Sequence, residues 1–472
     1  MKLPGTYAAY AVILFLLGQT PSGIHVGLLL VNAATTVMMF FLGKRLSGEL
    51  GGVACAAAYA LLSTGVAIMG LQAHATHFVV LAAVAGLLVF VRSISSGRPL
   101  AIFCAGLLFG AAVVMKQPGL FFAIFATLQL AYSEWRRKQP WRSTLHRVGI
   151  FLVGVVLPFA LTCAVMKICG VFDKFWFWVF DYARAYGSII SLGDGLAALE
   201  TTAPDVAGPA IGVWLLAGAG ALAFAWDRDI RKHAVFCLGL LVFSFLAVCP
   251  GLYFRPHYFI LMLPAVALLD AVAVHSFTRL VMAHWPAAAF LPAVVFFGAF
   301  GLALFDQSDA LFQMDPVSVC RLLYKTEPFP EAQEVGDYIK SNSASTDRIA
   351  VMGSDPEIYF YSHRHSATGY IYIFPLSEDQ PYAAQMQREM ISEIEAAHPL
   401  FLVMHPASWF MAGTHGAEER HSWAERYLKR YDMVALVDLV APDRSEFYRW
   451  EVDGRDFRPR NPLLYVFRRK GG

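Results

Sequence analysis

The chain has 472 residues, of which 57% are hydrophobic and 15% charged, and its formal net charge is +2. So much apolar surface does not fit one water-soluble core, which excludes an ordinary soluble enzyme, and the balanced charge gives no footing for nucleic acid. The seven cysteines follow neither metal-ligand spacing nor a disulfide framework, and they read as small core residues.

Taken in chain order, residues 5–17 are apolar but too few to cross about 30 Å of hydrocarbon, and they suit a helix lying at the interface. Apolar blocks bounded by polar residues then predict about ten membrane-spanning helices. They lie near 23–43, 50–70, 73–91, 99–116, 118–133, 148–168, 209–226, 234–250, 256–275 and 286–305. The spans 99–116 and 118–133 meet at Lys116-Gln117-Pro118-Gly119, where Pro and Gly stop one helix and permit a tight reversal. Between 169 and 208 a long connection carries the aromatic run Phe172 to Tyr186, which reads as an interfacial helix. After Phe305 the charge density becomes that of a soluble domain. An amphipathic stretch at 331–341, strands at 348–352, 400–404, 432–440 and 463–468, and helices at 379–397 and 421–430 predict a compact α/β domain. Gly353-Ser354-Asp355-Pro356 after the first strand is too short a signal to imply nucleotide binding. The expected fold is thus a polytopic α-helical membrane protein with a C-terminal soluble α/β domain, divided into 1–22 (interfacial), 23–305 (transmembrane) and 306–472 (soluble).

Basic residues accumulate in cytoplasmic loops. Lys44 and Arg45, Arg92 and Arg98, Arg136 to Arg147, and Arg228 to Lys232 fall in alternate loops, which places those loops inside. The 169–208 connection and the region after 306 then lie outside, in a bacterium the periplasm, which makes the inner membrane the expected location. An even number of spans also puts Met1 outside, with no segment ahead of it to carry it there.

In a membrane protein the informative residues are those that the bilayer discourages. By this topology Lys2, His74, His77, Lys116, Asp173, Asp181, Arg184, Arg255, His257 and Tyr258 all reach the outer face. Cations and aromatics together at a membrane surface suit a phosphate-bearing lipid: the cations hold the phosphate and the aromatics line sugar and prenyl chain. Arg255-Pro256-His257-Tyr258 is the most suggestive group, because Arg offers a planar fork for two phosphate oxygens and His can move a proton or bind metal. Lys116 could neutralise a phosphate or simply snorkel to the interface. His74 and His77 share a helix face and would suit a metal pair, although ordinary polar packing is the favoured reading. Asp173, Asp181 and Arg184 are substrate candidates within the outer loop. No motif demands a cofactor, and a divalent metal is left open.

The order of these pieces resembles the membrane-embedded glycosyltransferases of the C-type fold, which include protein O-mannosyltransferases and lipid A aminoarabinose transferases, especially their bacterial family-39 relatives. Lys2-Leu3-Pro4-Gly5-Thr6-Tyr7 is similar to the Lys-Pro-Pro-Leu-Tyr-Tyr element that ends the first outer loop, with Leu3 and Gly5 departing from it. Gly48 after Lys44-Arg45-Leu46, and Arg255 to Pro264, also match elements of that family. The resemblance implies a glycosyltransferase that moves a sugar from a polyprenyl-phosphate carrier to an acceptor lipid, glycan or protein, among membrane lipids, with no nucleic-acid partner. It implies Lys2 beside the donor phosphate, and the outer-face reading adds Lys116, Arg255, His257 and Tyr258 as further donor-binding candidates. The family's base is an Asp just upstream of the Lys-Pro element. Here that position falls before Met1, so the expectation is an N-terminally incomplete transferase or one that has lost its base. The competing reading is a non-catalytic protein that binds or translocates lipid-linked sugars on the same scaffold.

Overall fold

The structure, a computed structural model, describes residues 2–406, 417–441, 444–449 and 459–471. It forms two compact units, Met1–Phe312 and Gln313–Gly472. The boundary falls later than the 305/306 expected, because the last apolar helix runs to Asp306 and a wide turn continues through Asp309–Gln313.

The first unit is helical: α1 (Pro4–Leu17), α2 (Pro21–Ser63), α3 (Ala75–Ser96), α4 (Pro99–Met115), α5 (Gly119–Arg136), α6 (Trp141–Ile168), α7 (Phe172–Trp176), α8 (Tyr182–Gly187), α9 (Leu192–Ala207), α10 (Ile211–Ala223), α11 (Ala234–Val248), α12 (Leu263–His284) and α13 (Leu291–Asp306). Among the described residues, 7 helical stretches are long and apolar enough to cross a membrane, with α1 and α4 as shorter apolar helices. The chain is a multi-pass membrane protein, and every span expected from the sequence falls on a helix.

The 43 residues of α2 cover two of those spans. Gly48 breaks the helix at φ 76°, ψ −173°, a backbone region open almost only to glycine and costly by about 1–3 kcal/mol for a residue with a Cβ. The two halves then fold back on each other: a Cβ on Gly43 would press on Cys55 and one on Gly52 on the Phe40 carbonyl. In a straight helix Gly43 and Cys55 would be about 18 Å apart. Helix α12 is buried over most of its length, at the centre of a core that also includes Tyr59, Phe90, Phe109, Phe122 and Phe151.

Basic loops gather at one end of this unit. Arg45 donates to Ser95 (3.1 Å) and Arg137 to the Ile94 carbonyl. Arg147 pairs with the fully buried Glu134 (2.5 Å), and Arg279 bridges Asp227 (3.1 Å) and Asp229 (2.5 Å). His275, one turn before Arg279, bonds the Ser47 carbonyl beside the Gly48 reversal (2.9 Å). Loops predicted to share one membrane side therefore meet, and Arg147 and Arg279 among them are paired with carboxylates.

The second unit adds α14 (Pro316–Tyr324), α15 (Phe329–Ser341), β1 (Arg348–Met352), α16 (Glu357–Ser362), β2 (His365–Ser366), α17 (Phe374–Ser377), α18 (Ala383–Ala397), β3 (Phe401–Met404), α19 (Ala417–Tyr427), β4 (Tyr431–Ala441), β5 (Arg444–Arg449) and β6 (Pro462–Arg469). The strands form one mixed sheet in the order β2-β1-β3-β6-β4-β5, with β2, β1 and β3 parallel and the rest antiparallel. Ile349, Val351, Phe401, Val403, Val437 and Val466 pack on Ala332, Val335 and Ile339 of α15. The helix expected over 379–397 begins only at Ala383, because Gln380 instead bonds the Pro375 carbonyl and the Tyr382 amide in a turn. Strands β2 and β5 had no sequence signal, the first being two residues long and the second mostly polar and exposed at Arg444, Glu446 and Arg449.

Candidate functional site

At the opposite end of the helical unit from the paired loops, four chain segments distant in sequence bring cations together. The start of α1 is the first. Thr6 donates its hydroxyl to the Met115 carbonyl (2.6 Å), Tyr10 donates to the Ala73 carbonyl (2.5 Å), and Leu3 is buried against Phe175 and Val179. A Cβ on Gly5 would collide with the Val114 carbonyl, so the departure from the family element at this position lets α1 lie directly on the end of α4. Lys2 is thereby held over the α4–α5 reversal.

That reversal supplies Lys116. Its ammonium sits 3.9 Å from the centre of the Tyr258 ring, within the range at which a ring face attracts a cation. The third segment is the entry to α3, where His74 stacks on His257 with ring centres 4.0 Å apart and planes 12° apart. His77 follows on the same helix and bonds the Asn32 side chain (2.9 Å), both groups being buried. The two histidines therefore face different partners, and the Nε2 atoms of both are buried without a hydrogen bond.

The fourth segment is the turn ahead of α12. Gly251 (φ 80°), Leu252 (φ 57°) and Phe254 (φ 42°) occupy the left-handed region, and for Leu and Phe that conformation is strained. Such strain persists where surrounding structure over-determines it, commonly at ligand sites. Here it presents Arg255 and Tyr253 together: the guanidinium lies 5.2 Å from the Tyr253 ring centre. Tyr253 stacks on Tyr186 at 4.6 Å, and Tyr186 continues to Tyr182 (6.2 Å) and Trp178 (5.1 Å from Tyr182). A ladder of rings thus runs from the aromatic loop to Arg255. Beside it a cavity of about 210 Å³ is lined by Lys116, Pro118, Tyr186, Val248, Gly251 and Tyr258, among others.

The electrostatics are one-sided. Lys116 feels the charges of Lys2 and Arg255, and Lys2 and Lys116 also act on His74. Among the described residues no carboxylate forms an ion pair with Lys2, Lys116 or Arg255. Cations crowded without counter-charge favour an arriving anion. Asp173, Asp181 and Arg184 are exposed on the aromatic segment and are not among the charges acting on Lys116 or His74. Sequence reasoning missed Tyr253 and the strained turn, whose only signal was Gly251 after Pro250.

No protein-family model and no curated protein sequence matches the chain. Among solved structures it is similar to ArnT from Cupriavidus metallidurans bound to undecaprenyl phosphate, with TM-score 0.54, 14% identity, 98% of this chain and 87% of that chain covered. The apo form of the same protein gives TM-score 0.54 and 13% identity over the same shares. The Archaeoglobus fulgidus oligosaccharyltransferase with a tethered acceptor peptide gives TM-score 0.49 and 12% identity over 95% of this chain, which spans 66% of its length. With ArnT matched over nearly the whole chain, the fold is that of the C-type membrane glycosyltransferases.

Proposed function

We propose that this protein is a glycosyltransferase that takes a sugar from a polyprenyl-phosphate carrier and passes it to an acceptor at the outer face of a bacterial inner membrane, with the Gln313–Gly472 unit in the periplasm. The observation that carries this reading is the set Lys2, Lys116 and Arg255, gathered without a carboxylate partner among the described residues, with Lys116 over the Tyr258 ring and lining the adjoining cavity. Three cations from separate segments suit a phosphate ester.

In this reading Arg255 grips two phosphate oxygens, Lys116 neutralises a third, and Lys2 closes the site from the start of α1. Charge grows on the phosphate as the glycosidic bond breaks. Cations fixed in place therefore stabilise the transition state more than the ground state. The Trp178–Tyr182–Tyr186–Tyr253 ladder offers ring faces to the sugar and the first prenyl units. The likeness to ArnT, whose structure holds undecaprenyl phosphate, supports the class of donor.

The test is turnover of a panel of undecaprenyl-phosphate sugars by the full chain in nanodiscs, followed as release of undecaprenyl phosphate. Release that falls sharply in Arg255→Ala is the expected result; release unchanged by that substitution removes Arg255 from the site. A second reading is favoured by one observation: no carboxylate accompanies the cations, among the described residues, to prepare an acceptor. If tight carrier binding comes without release for any sugar, the protein binds or translocates lipid-linked sugars instead.

A further inference from the structure

The second unit carries a cluster of its own. Strands β1 and β3 are parallel neighbours, and just past their carboxyl ends lie Asp355 and His405. That is the edge of a parallel sheet at which ligands are usually received. Asp355 and His405 are both buried, and the His405 ring nitrogen Nδ1 meets the two Asp355 carboxylate oxygens at 3.2 and 3.0 Å. Glu327, from the link between α14 and α15, is exposed and brings a second carboxylate. One ligand atom from each of Glu327, Asp355 and His405 lies within 4.8 Å of the others.

An Asp–His hydrogen bond alone would satisfy those two residues, but three further features exceed it. Glu327 is added to the pair, and Glu357, two residues after Asp355, is close enough to feel the charges of both Asp355 and Glu327. Its Oε1 is buried with no hydrogen-bond partner. Among the described residues none of Glu327, Asp355 and Glu357 pairs with Lys or Arg, so three carboxylates face a single imidazole. Finally, a Cβ on Gly353 would strike the Asp355 carboxylate and the His405 side chain. The strand end is shaped to seat both groups.

We propose that Glu327, Asp355 and His405 bind one divalent metal ion of the zinc or manganese type. Nitrogen and carboxylate ligands sit about 2.1 Å from such ions, so two of them are about 3.0 Å apart in an octahedral site and about 3.4 Å apart in a tetrahedral one; Asp355 and His405, at 3.0 and 3.2 Å, need little or no adjustment. The exposed Glu327 closes on the ion by side-chain rotation. Three protein ligands with one face toward solvent leave a position open for water or for a group of a bound molecule. Glu357 then stands behind the ligands as an additional negative charge that favours the cation.

The experiment is calorimetric titration of Zn²⁺, and separately Mn²⁺, into the metal-stripped full chain in detergent. One ion per chain is expected, with affinity weakened at least tenfold in His405→Ala and in Glu327→Gln. Binding should be unchanged in the double substitution His74→Ala with His257→Ala, which removes the imidazoles of the membrane unit. Glu327 is exposed, so its variant keeps the test intact even if loss of His405 prevents folding. Absence of binding by either metal, or binding unaffected by Glu327→Gln, overturns the proposal, as does binding lost only in the His74/His257 variant. None of these readouts depends on sugar transfer.

Discussion

Three cations at one end of the helical unit are paired, and three at the other are not. Lys44, Arg147 and Arg279 each have a carboxylate: Glu49, the buried Glu134, and Asp227 with Asp229. At the other end Lys2, Lys116 and Arg255 have none among the described residues, and the groups around them include tyrosine rings and imidazoles. A paired cation serves the fold, because removing its partner leaves a charge stranded in a poor solvent. Cations crowded without a counter-charge are held at a cost by the rest of the structure, which makes sense where an anion arrives from outside.

This contrast can be broken most forcefully at the compensated end. Replacing Glu134 with Gln leaves the half-buried Arg147 without its counter-charge and should cost up to about 3 kcal/mol of stability, read as a lower midpoint of thermal unfolding in detergent, with carrier binding unchanged in the protein that remains folded. Next in size is Arg255→Ala, where loss of charge-assisted contacts worth about 1.5–3 kcal/mol should weaken carrier binding roughly 10- to 100-fold with no loss of stability. Lys116→Met should weaken binding in the same direction while raising the unfolding midpoint, because it removes a cation crowded by Lys2 and Arg255. A drop in stability for either outer-end variant would erase the distinction between the two ends.

The last expected effect is Gly48→Ala at the α2 reversal, about 1–3 kcal/mol from a backbone conformation open almost only to glycine, seen as a fall in unfolding midpoint with carrier affinity intact.

Much of the helical unit was legible because apolar blocks and their polar borders report directly on a bilayer. Lys116-Gln117-Pro118-Gly119 announced its own reversal, and Lys44-Arg45 with Gly48 marked the other. Which polar residues would meet was less legible. Arg255, His257 and Tyr258 are neighbours in sequence, but their approach to Lys116, His74 and Lys2 depends on helix packing and on the Gly5 contact with the Val114 carbonyl. The positive φ angles of Leu252 and Phe254 are imposed by tertiary structure against local preference, so no propensity reveals them. In the second unit β1, β3, β4 and β6 follow apolar runs. The Glu327, Asp355 and His405 cluster joins residues from three loops and leaves no local signature beyond the Gly353-Ser354-Asp355-Pro356 turn.

The most direct test of the outer cluster as a phosphate site is equilibrium binding of undecaprenyl phosphate and of uncharged undecaprenol to the full chain in nanodiscs, side by side. The account predicts that the phosphate binds at least tenfold more tightly, and that this preference disappears when Arg255 and Lys116 are replaced together. Equal binding of the two lipids, or a preference that survives the double replacement, would contradict it.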